Sequence, residues 1–259
     1  MISITLLLPL LAPAPLQEPA VEVAPVNRSV AEARFESLMA EYEAAFQAWM
    51  ENIQELITAA EESGEELTEY PPQPGSEFMP RFMAGAKEFA GTDDAVPFLM
   101  FVVQQGLGQP EGPGMEALET LLSTHIKSEK LDQLGPMLGY LSYMMEESEA
   151  MKIVAKCEKE AGSANLRAWA MFARLKPVFA NNAPSSKDFK AAKKEMLAAL
   201  EKTNDPMLRG SFDSEVTVLE TFAVGMLAPD ITGPDLDGTE FKLSDYKGKV
   251  IFLDFWGDW

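Results

Sequence analysis

The sequence predicts two consecutive parts, an all-α N-terminal domain and then the first strands of an α/β domain. Apolar residues recur at spacings of three and four over most of the chain, as on helices that bury one face. Near the C-terminus, residues 250–253 form a continuous apolar run bounded by Lys247-Gly248-Lys249, which is typical of a strand buried on both faces. Before it, Asp237-Gly238 between two short apolar stretches predicts a tight hairpin turn.

Composition limits the partners and cofactors. The 259 residues include 47% hydrophobic ones, enough for a packed core, and carry a formal charge of −20. This charge argues against binding to nucleic acid or to anionic membrane surfaces. One cysteine and one histidine give no cluster for zinc or haem, so we expect no cofactor and no metal. Asp235 and Asp237 begin like a calcium loop, but the glycine and the distal glutamate are misplaced.

The first residues resemble an export signal. The apolar run at 4–12 has the length of a signal-peptide core and is too short to span a bilayer. Ala12-Pro13-Ala14 resembles a cleavage site, although no Lys or Arg precedes the apolar run. We therefore interpret residues 1–20 as a signal peptide; the alternatives are an uncleaved anchor and a wrongly chosen start site. We expect export to the periplasm or cell envelope, with membrane contact through this segment alone.

Residues 21–75 predict one long amphipathic helix and a connector. Ser29 followed by Glu32 is a capping box. Ser63-Gly64 ends the helix, and the proline-rich run 70–75 is a stiff extended connector. The helix carries one apolar seam, formed by Phe35, Leu38, Tyr42, Phe46, Trp49, Ile53 and Leu56.

Residues 76–215 predict a series of shorter helices. Residues 98–103 are apolar all round, which is typical of a helix at the centre of a bundle. Glycine, proline and asparagine mark the breaks, with a break or a kink at Gly135-Pro136. The pattern fits a helical bundle or a short α-hairpin array. It changes after Arg209-Gly210, where an extended or short helical lead begins the final part, 216–259. The predicted helices span 77–89, a segment around 98–103, 115–126, 131–145, 147–161, 164–178 and 187–202.

The final part resembles the opening of a known domain. The matching residues are Ala228-Pro229-Asp230, Asp237-Gly238, the run 243–249 (Leu-Ser-Asp-Tyr-Lys-Gly-Lys) and the run 254–259 (Asp-Phe-Trp-Gly-Asp-Trp). In this order they resemble thioredoxin-fold proteins of the TlpA/ResA-like redoxin group, which includes alkyl hydroperoxide reductase and thiol-specific antioxidant proteins. The resemblance covers roughly the last eighth of the chain.

The resemblance implies where the chemistry would lie. In this group a strand ending near Phe255 is followed by a Cys-x-x-Cys pair, whose first cysteine would come directly after Trp259. Asp254 matches the position of a buried acid that acts as a proton shuttle, although it could equally be a strand-end residue with a structural hydrogen bond. The active-site flank would be Phe255, Trp256, Gly257, Asp258 and Trp259, whose tryptophans could also simply pack against the next helix.

The resemblance also implies a function. We expect a thiol–disulfide oxidoreductase or peroxidase that acts on a protein disulfide or a peroxide and is recharged by an envelope thiol reductant. We expect these 259 residues to be an inactive fragment. A selenocysteine codon read as a stop after Trp259 would explain this; an incomplete gene sequence or a frameshift is the competing explanation.

Two residues outside this part, the single cysteine and the single histidine, are candidate functional groups. Cys157 shares a helix face with Ile153 and Val154, which predicts a small core residue and not a reactive thiol. His125 lies near a helix end, which predicts a surface role. In the alternative hypothesis the helices form a non-enzymatic protein-binding module and the redoxin tail is degenerate. An open apolar groove on the helices would favour that hypothesis.

Overall fold

The computed structural model describes residues 29–64, 68–109 and 112–254, and ten helices and one two-stranded sheet lie within these ranges. The predicted helical N-terminal region is confirmed. The helices are α1 (Val30–Ser63), α2 (Gly75–Glu88), α3 (Val96–Gly106), α4 (Pro113–Thr124), α5 (Gly135–Leu138), α6 (Leu141–Met144), α7 (Glu147–Glu160), α8 (Ala164–Asn181), α9 (Lys187–Leu200) and α10 (Pro206–Phe222); the strands are β1 (Thr232–Pro234) and β2 (Glu240–Lys242).

The first helix begins and ends where the sequence predicts. The Ser29 hydroxyl accepts the Glu32 N–H at 3.1 Å, and the Glu32 carboxylate accepts the Ser29 N–H at 2.9 Å. Gly64 ends the helix with a φ of 72°, a left-handed conformation that favours glycine. The Trp49 indole N–H donates to the Pro71 carbonyl at 2.9 Å, so the proline-rich connector folds back along α1.

Aromatic rings fill the core where α1, α2 and α3 meet. The Phe82 and Phe101 rings are stacked with centroids 3.6 Å apart. The Phe35 ring of α1 packs edge-to-face with the rings of Phe82 and Phe98, with centroids 5.8 and 5.3 Å apart. Residues 98–103 are all buried, which confirms that α3 is the central helix of this half.

Helix α8 is the central helix of a second group, in which it packs against α7, α9 and α10. Its Phe179 packs edge-on against Phe189 of α9, with centroids 5.2 Å apart. Arg174 donates two hydrogen bonds to Glu158 of α7, at 2.8 and 2.9 Å, and a third at 2.6 Å to Glu195 of α9. The arginine therefore joins three helices through charge-assisted bonds.

The helix predicted at 131–145 is divided at Gly135-Pro136, where the sequence predicts a break or a kink, and again before Leu141. The structure has a 3₁₀ turn at Glu129–Leu134, followed by the two four-residue helices α5 and α6. Pro136 lies in the first turn of α5, where its missing N–H ends the preceding run of helical bonds. Gly135 packs against Trp169, whose Cδ1 would lie 2.3 Å from an added Cβ. This packing fixes the break.

The change of pattern predicted after Arg209-Gly210 is not a structural break. Asp205 caps α10 by accepting the N–H groups of Met207 and Leu208, and the helix then continues to Phe222. The division proposed between residues 215 and 216 therefore falls inside α10. Burial of Phe212 and Val216 holds this helix against the rest, and the extended chain begins after Phe222.

Two glycines in helices provide a matched test of the packing. An added Cβ at Gly85 would lie 2.4 Å from Cδ1 of Phe98, a fully buried ring that cannot move aside, whereas Gly210 has nothing within 4 Å. We expect Gly85→Ala to lower the free energy of unfolding by about 1–3 kcal/mol through overpacking. Gly210→Ala is expected to raise it by up to about 1 kcal/mol, because alanine favours the helix. Urea denaturation checks both, and equal effects of the two changes would contradict this packing.

Candidate functional site

The C-terminal segment, residues 223–254, is organised around the predicted hairpin. Strands β1 and β2 are antiparallel, with Thr232 opposite Lys242 and Pro234 opposite Glu240. In the loop the Asp235 carboxylate accepts the N–H groups of Asp237 and Thr239 at 2.9 and 2.8 Å. Gly238 has a φ of 79°, as the turn requires. The hairpin prediction at Asp237-Gly238 is confirmed.

A second set of hydrogen bonds joins the two ends of this hairpin. The Asp230 carboxylate accepts the N–H and the hydroxyl of Ser244, both at 2.8 Å, and the Leu243 N–H donates to the Ile231 carbonyl at 2.9 Å. The two bonds from Ser244 lower the pKa of Asp230 below its usual value. Two stretches that are separate in the sequence, 228–230 and 243–249, are thus joined by hydrogen bonds.

The predicted buried strand at 250–255 is not formed in its described part. Residues 250–254 have no strand pairing and are exposed, with Val250 and Phe252 among the most exposed side chains. A strand needs a neighbour for its N–H and C=O groups, and the described residues offer no third strand. Asp254 is exposed, and its role as a proton shuttle stays a prediction. The predicted flank, residues 255–259, lies outside the described residues, as does the predicted signal peptide.

The apolar side chains of this segment lack a core. Among the described residues, none after Val216 is buried. The exposed apolar residues from Val224 onward are Val224, Met226, Leu227, Ile231, Leu236, Phe241, Tyr246, Val250, Ile251, Phe252 and Leu253. These side chains therefore contribute no buried apolar surface to the described part of the chain.

The chain's single cysteine is sealed in the helical core, as predicted. The Cys157 side chain is fully buried in α7. Burial raises the pKa of its thiol to about 12; Glu160 adds to this effect, and Lys156 opposes it. A thiol in this state is neither ionised nor accessible at neutral pH, so it cannot serve as the nucleophile of thiol–disulfide exchange.

The surface role predicted for His125 is wrong. Only 4% of the residue is exposed, and its Nδ1 atom lies 4.0 Å from Oδ1 of Asp93. It occupies the C-cap of α4, and its carbonyl accepts the Ser128 N–H at 2.8 Å.

Sequence reasoning missed a cleft between α5, α8 and α10. It has a volume of about 410 Å³, and its lining includes the pair Lys176 and Glu215, whose Nζ and Oε2 atoms are 3.7 Å apart. The Lys176 ammonium also lies 5.3 Å from the centroid of the Tyr140 ring and 5.6 Å from that of Phe172. Burial raises the pKa of Glu215, and Lys176 only partly offsets this. The partners are far apart in the sequence, so no local motif marks them.

The raised pKa of Glu215 predicts a pH effect. An acid whose pKa is raised by folding stabilises the fold below its ordinary pKa of 4.5, and this contribution is lost as the pH rises through the raised value. We expect Glu215→Gln to flatten the fall in unfolding free energy above about pH 4.5. At about pH 7 the variant's free energy of unfolding should exceed that of the wild type by less than about 1 kcal/mol, because solvent screens the half-buried carboxyl.

Glu220→Gln, on the same helix, is the matched control for this effect. Glu220 pairs with Lys193 at 2.6 Å and is more exposed than Glu215. This variant should keep the wild-type slope in urea denaturation followed over the same pH range. A Glu215→Gln variant with the wild-type slope would contradict the assignment to Glu215.

The described residues form neither a metal-binding cluster nor a membrane-spanning helix. Within residues 29–64, 68–109 and 112–254, no group of three or more His, Cys, Asp or Glu side chains is placed to hold a metal ion. In that part of the chain, no helix combines the length and apolar character needed to cross a bilayer.

Comparison with known proteins bears on the C-terminal resemblance. The chain is 45% identical over 64 residues to the thiol-disulfide oxidoreductase ResA of Geobacillus thermodenitrificans, a match that covers 25% of this chain and 33% of that protein. Part of this chain is similar to ResA proteins. ResA of Geobacillus kaustophilus is 60% identical over 37 residues, 14% of this chain and 21% of the relative. ResA of Bacillus subtilis is 45% identical over 40 residues, which cover 15% of this chain and 22% of that protein.

These matches have a defined extent. The chain spans about a third or less of the length of these ResA proteins. No protein-family model matches the chain, and no solved structure matches it. The comparisons therefore support a thioredoxin-like oxidoreductase relationship for part of the chain.

Proposed function

We propose that this protein is a thiol–disulfide oxidoreductase of the thioredoxin-like class, with a helical domain preceding the redox domain. The observation that carries the proposal is the similarity of part of the chain to proteins named thiol-disulfide oxidoreductase. The hydrogen bonds between Asp230 and Ser244 support it, because they join two of the stretches on which the resemblance rests, 228–230 and 243–249. We infer that the matched part is this C-terminal segment.

The chemistry requires a thiol or selenol that residues 1–259 do not supply. Cys157 is the one cysteine in the sequence, and it is buried with a raised pKa. The proposed nucleophile is a cysteine or selenocysteine that follows Trp259 in the complete gene product, with a resolving cysteine shortly after it. At a helix N-terminus, the positive end of the helix dipole would favour the ionised form.

The proposed reaction is a two-electron exchange. The thiolate or selenolate attacks one sulfur of a partner's disulfide and forms a mixed disulfide, while the other partner sulfur leaves as a thiolate. The resolving thiolate then attacks the mixed bond and releases the partner as a dithiol, leaving the protein oxidised. Asp254 would accept the proton of the resolving thiol, and residues 255–259 would flank the site. A thiol reductant of the cell envelope would reduce the protein again.

The proposed location is the periplasm or cell envelope. It rests on the signal-like residues 1–20 and on the redox chemistry, since stable disulfide substrates occur in oxidising compartments. An export assay with a reporter fused after residue 20 tests this location. Reporter retained in the cytoplasm would contradict it.

Insulin reduction by dithiothreitol tests the proposed chemistry. The 259-residue chain and its Cys157→Ala variant are both expected to leave the rate at that of dithiothreitol alone. The complete gene product is expected to accelerate the reaction, and replacing the residue after Trp259 by alanine should abolish the acceleration. Acceleration by the 259-residue chain would contradict the assignment of the nucleophile.

A second candidate function is a protein-binding module formed by the helices. The observation that favours it is an open groove of about 540 Å³ between α4 and the junction of α6 and α7. Its apolar wall is mainly methionine, leucine and isoleucine, and glutamates stand at its rim. Isothermal titration calorimetry, with a candidate partner protein added to the 259-residue chain, tests this function and involves no redox step.

A further inference from the structure

The groove between α4 and the α6–α7 junction has the form of a helix-binding site. Its floor consists of Leu118 and Leu122, which are buried. Met115 and Ile153 are half-buried on opposite walls, and Met144 stands at the edge with 42% of its surface exposed. The two leucines belong to the core, and the side chains of Met115, Ile153 and Met144 supply the apolar surface that is accessible from outside.

The spacing of the lining residues matches helix packing. On α4, Met115, Leu118 and Leu122 are three and four residues apart and share one face. On the other side, Glu146, Glu149 and Ile153 have the same spacing at the start of α7. Rows of side chains at this spacing are the surfaces against which a further helix packs its own ridge. The α4 ridge is about 10 Å long at 1.5 Å per residue, which corresponds to about two turns of a bound helix.

The rim of the groove selects the charge of the occupant. Glu119 lies on the α4 side, and Glu146 and Glu149 lie on the α7 side. Glu149 pairs with Lys152 at 2.5 Å, whereas Glu119 and Glu146 have no ion pair among the described residues. The whole chain carries −20, so its field also favours a positive partner.

We propose that this groove binds a basic amphipathic helix of a partner protein. The apolar face of that helix packs on the leucine floor and the methionine walls, and its Lys or Arg side chains meet the glutamate rim. Methionine suits this role, because its unbranched side chain adapts to apolar surfaces of different shape. The inference gives the binding-module function a ligand class and rests on that function.

The probe is a synthetic amphipathic helix of leucine and lysine, titrated into the 259-residue chain and followed by fluorescence anisotropy. A dissociation constant on the order of 10 μM is expected, weakening as salt is added. A scrambled peptide of the same composition and a leucine–glutamate helix are expected to bind at least about tenfold more weakly. Equal binding of either control would overturn the proposal.

Charge reversal at the rim provides a matched pair of variants. Glu119→Lys with Glu146→Lys should weaken binding of the basic helix by about tenfold. Glu55→Lys with Glu62→Lys makes the same change in net charge on exposed positions of α1 and should leave the affinity within about twofold. If both pairs weaken binding equally, net charge alone attracts the peptide and the groove is not its site.

Methionine methyl signals locate the site in the wild-type chain and do not depend on variant folding. With ¹³C-methyl methionine, the peptide should shift the signals of Met115, Met144 and Met145 and leave Met50 and Met226, which are about as exposed as Met144, unchanged. Unshifted groove methyls would overturn the proposal, as would groove shifts that depend on protein concentration without peptide, since a second copy would then be the occupant. No thiol takes part, so failure here leaves the oxidoreductase proposal standing.

Discussion

Cys157 in the folded chain is expected to react with iodoacetamide at least about a thousandfold more slowly than a free cysteine at about pH 8. Raising the pKa of the thiol from 9.0 to about 12 reduces the thiolate fraction by this factor before steric protection is counted. Full burial of the sulfur in α7 adds to the protection. The rate of alkylation, followed by intact mass, checks the prediction.

The same protein unfolded in guanidinium chloride is the control for this reaction. There the thiol should react at the rate of a free cysteine. Rapid alkylation of the folded chain would place Cys157 at the surface and make it a candidate nucleophile. The raised pKa also implies that stability is lost as the pH rises from 9.0 towards 12, because the unfolded thiol ionises first.

Phe82→Ala is expected to lower the free energy of unfolding by about 3–5 kcal/mol, the largest effect of any single change proposed for this chain. The Phe82 ring is fully buried, stacks on Phe101 and meets the edge of Phe35, so its removal leaves a cavity shared by α1, α2 and α3. Equilibrium denaturation in urea, with circular dichroism at 222 nm as the signal for helix content, measures the loss.

Phe222→Ala is the matched control for that cavity. The ring of Phe222 is 67% exposed at the end of α10, so its removal should cost less than about 0.5 kcal/mol. Similar costs for the two phenylalanines would mean that the aromatic cluster does not stabilise the fold.

Local signals in the sequence predicted much of the helical region. The Ser29 and Glu32 pair, Gly64 and the apolar run at 98–103 each act through neighbours within a few residues. The hairpin at Asp237-Gly238 was predictable for the same reason, because the turn is fixed by backbone sterics and by the Asp235 carboxylate. In each case the physical cause lies inside the pattern itself.

Features that depend on distant residues were mispredicted or missed. His125 is buried although its place near a helix end predicts a surface role, and Asp93, whose Oδ1 lies 4.0 Å from its Nδ1, is far from it in the sequence. The Lys176–Glu215 pair depends on how α8 and α10 pack. The segment 250–254 reads as a buried strand, yet it has no strand beside it in the described part of the chain. An apolar run predicts a preference for strand conformation, and pairing with a neighbouring strand decides whether the strand forms.

The role proposed for the C-terminal segment is tested most directly by the genomic DNA beyond the codon for Trp259. We expect a cysteine codon or an in-frame UGA at the next position, then a second cysteine codon shortly after it and further thioredoxin-like sequence. A UGA in this context would identify a selenocysteine, and a cysteine codon would identify an ordinary thiol. A stop codon followed by no such sequence would contradict the oxidoreductase proposal and leave the helical binding module as the function.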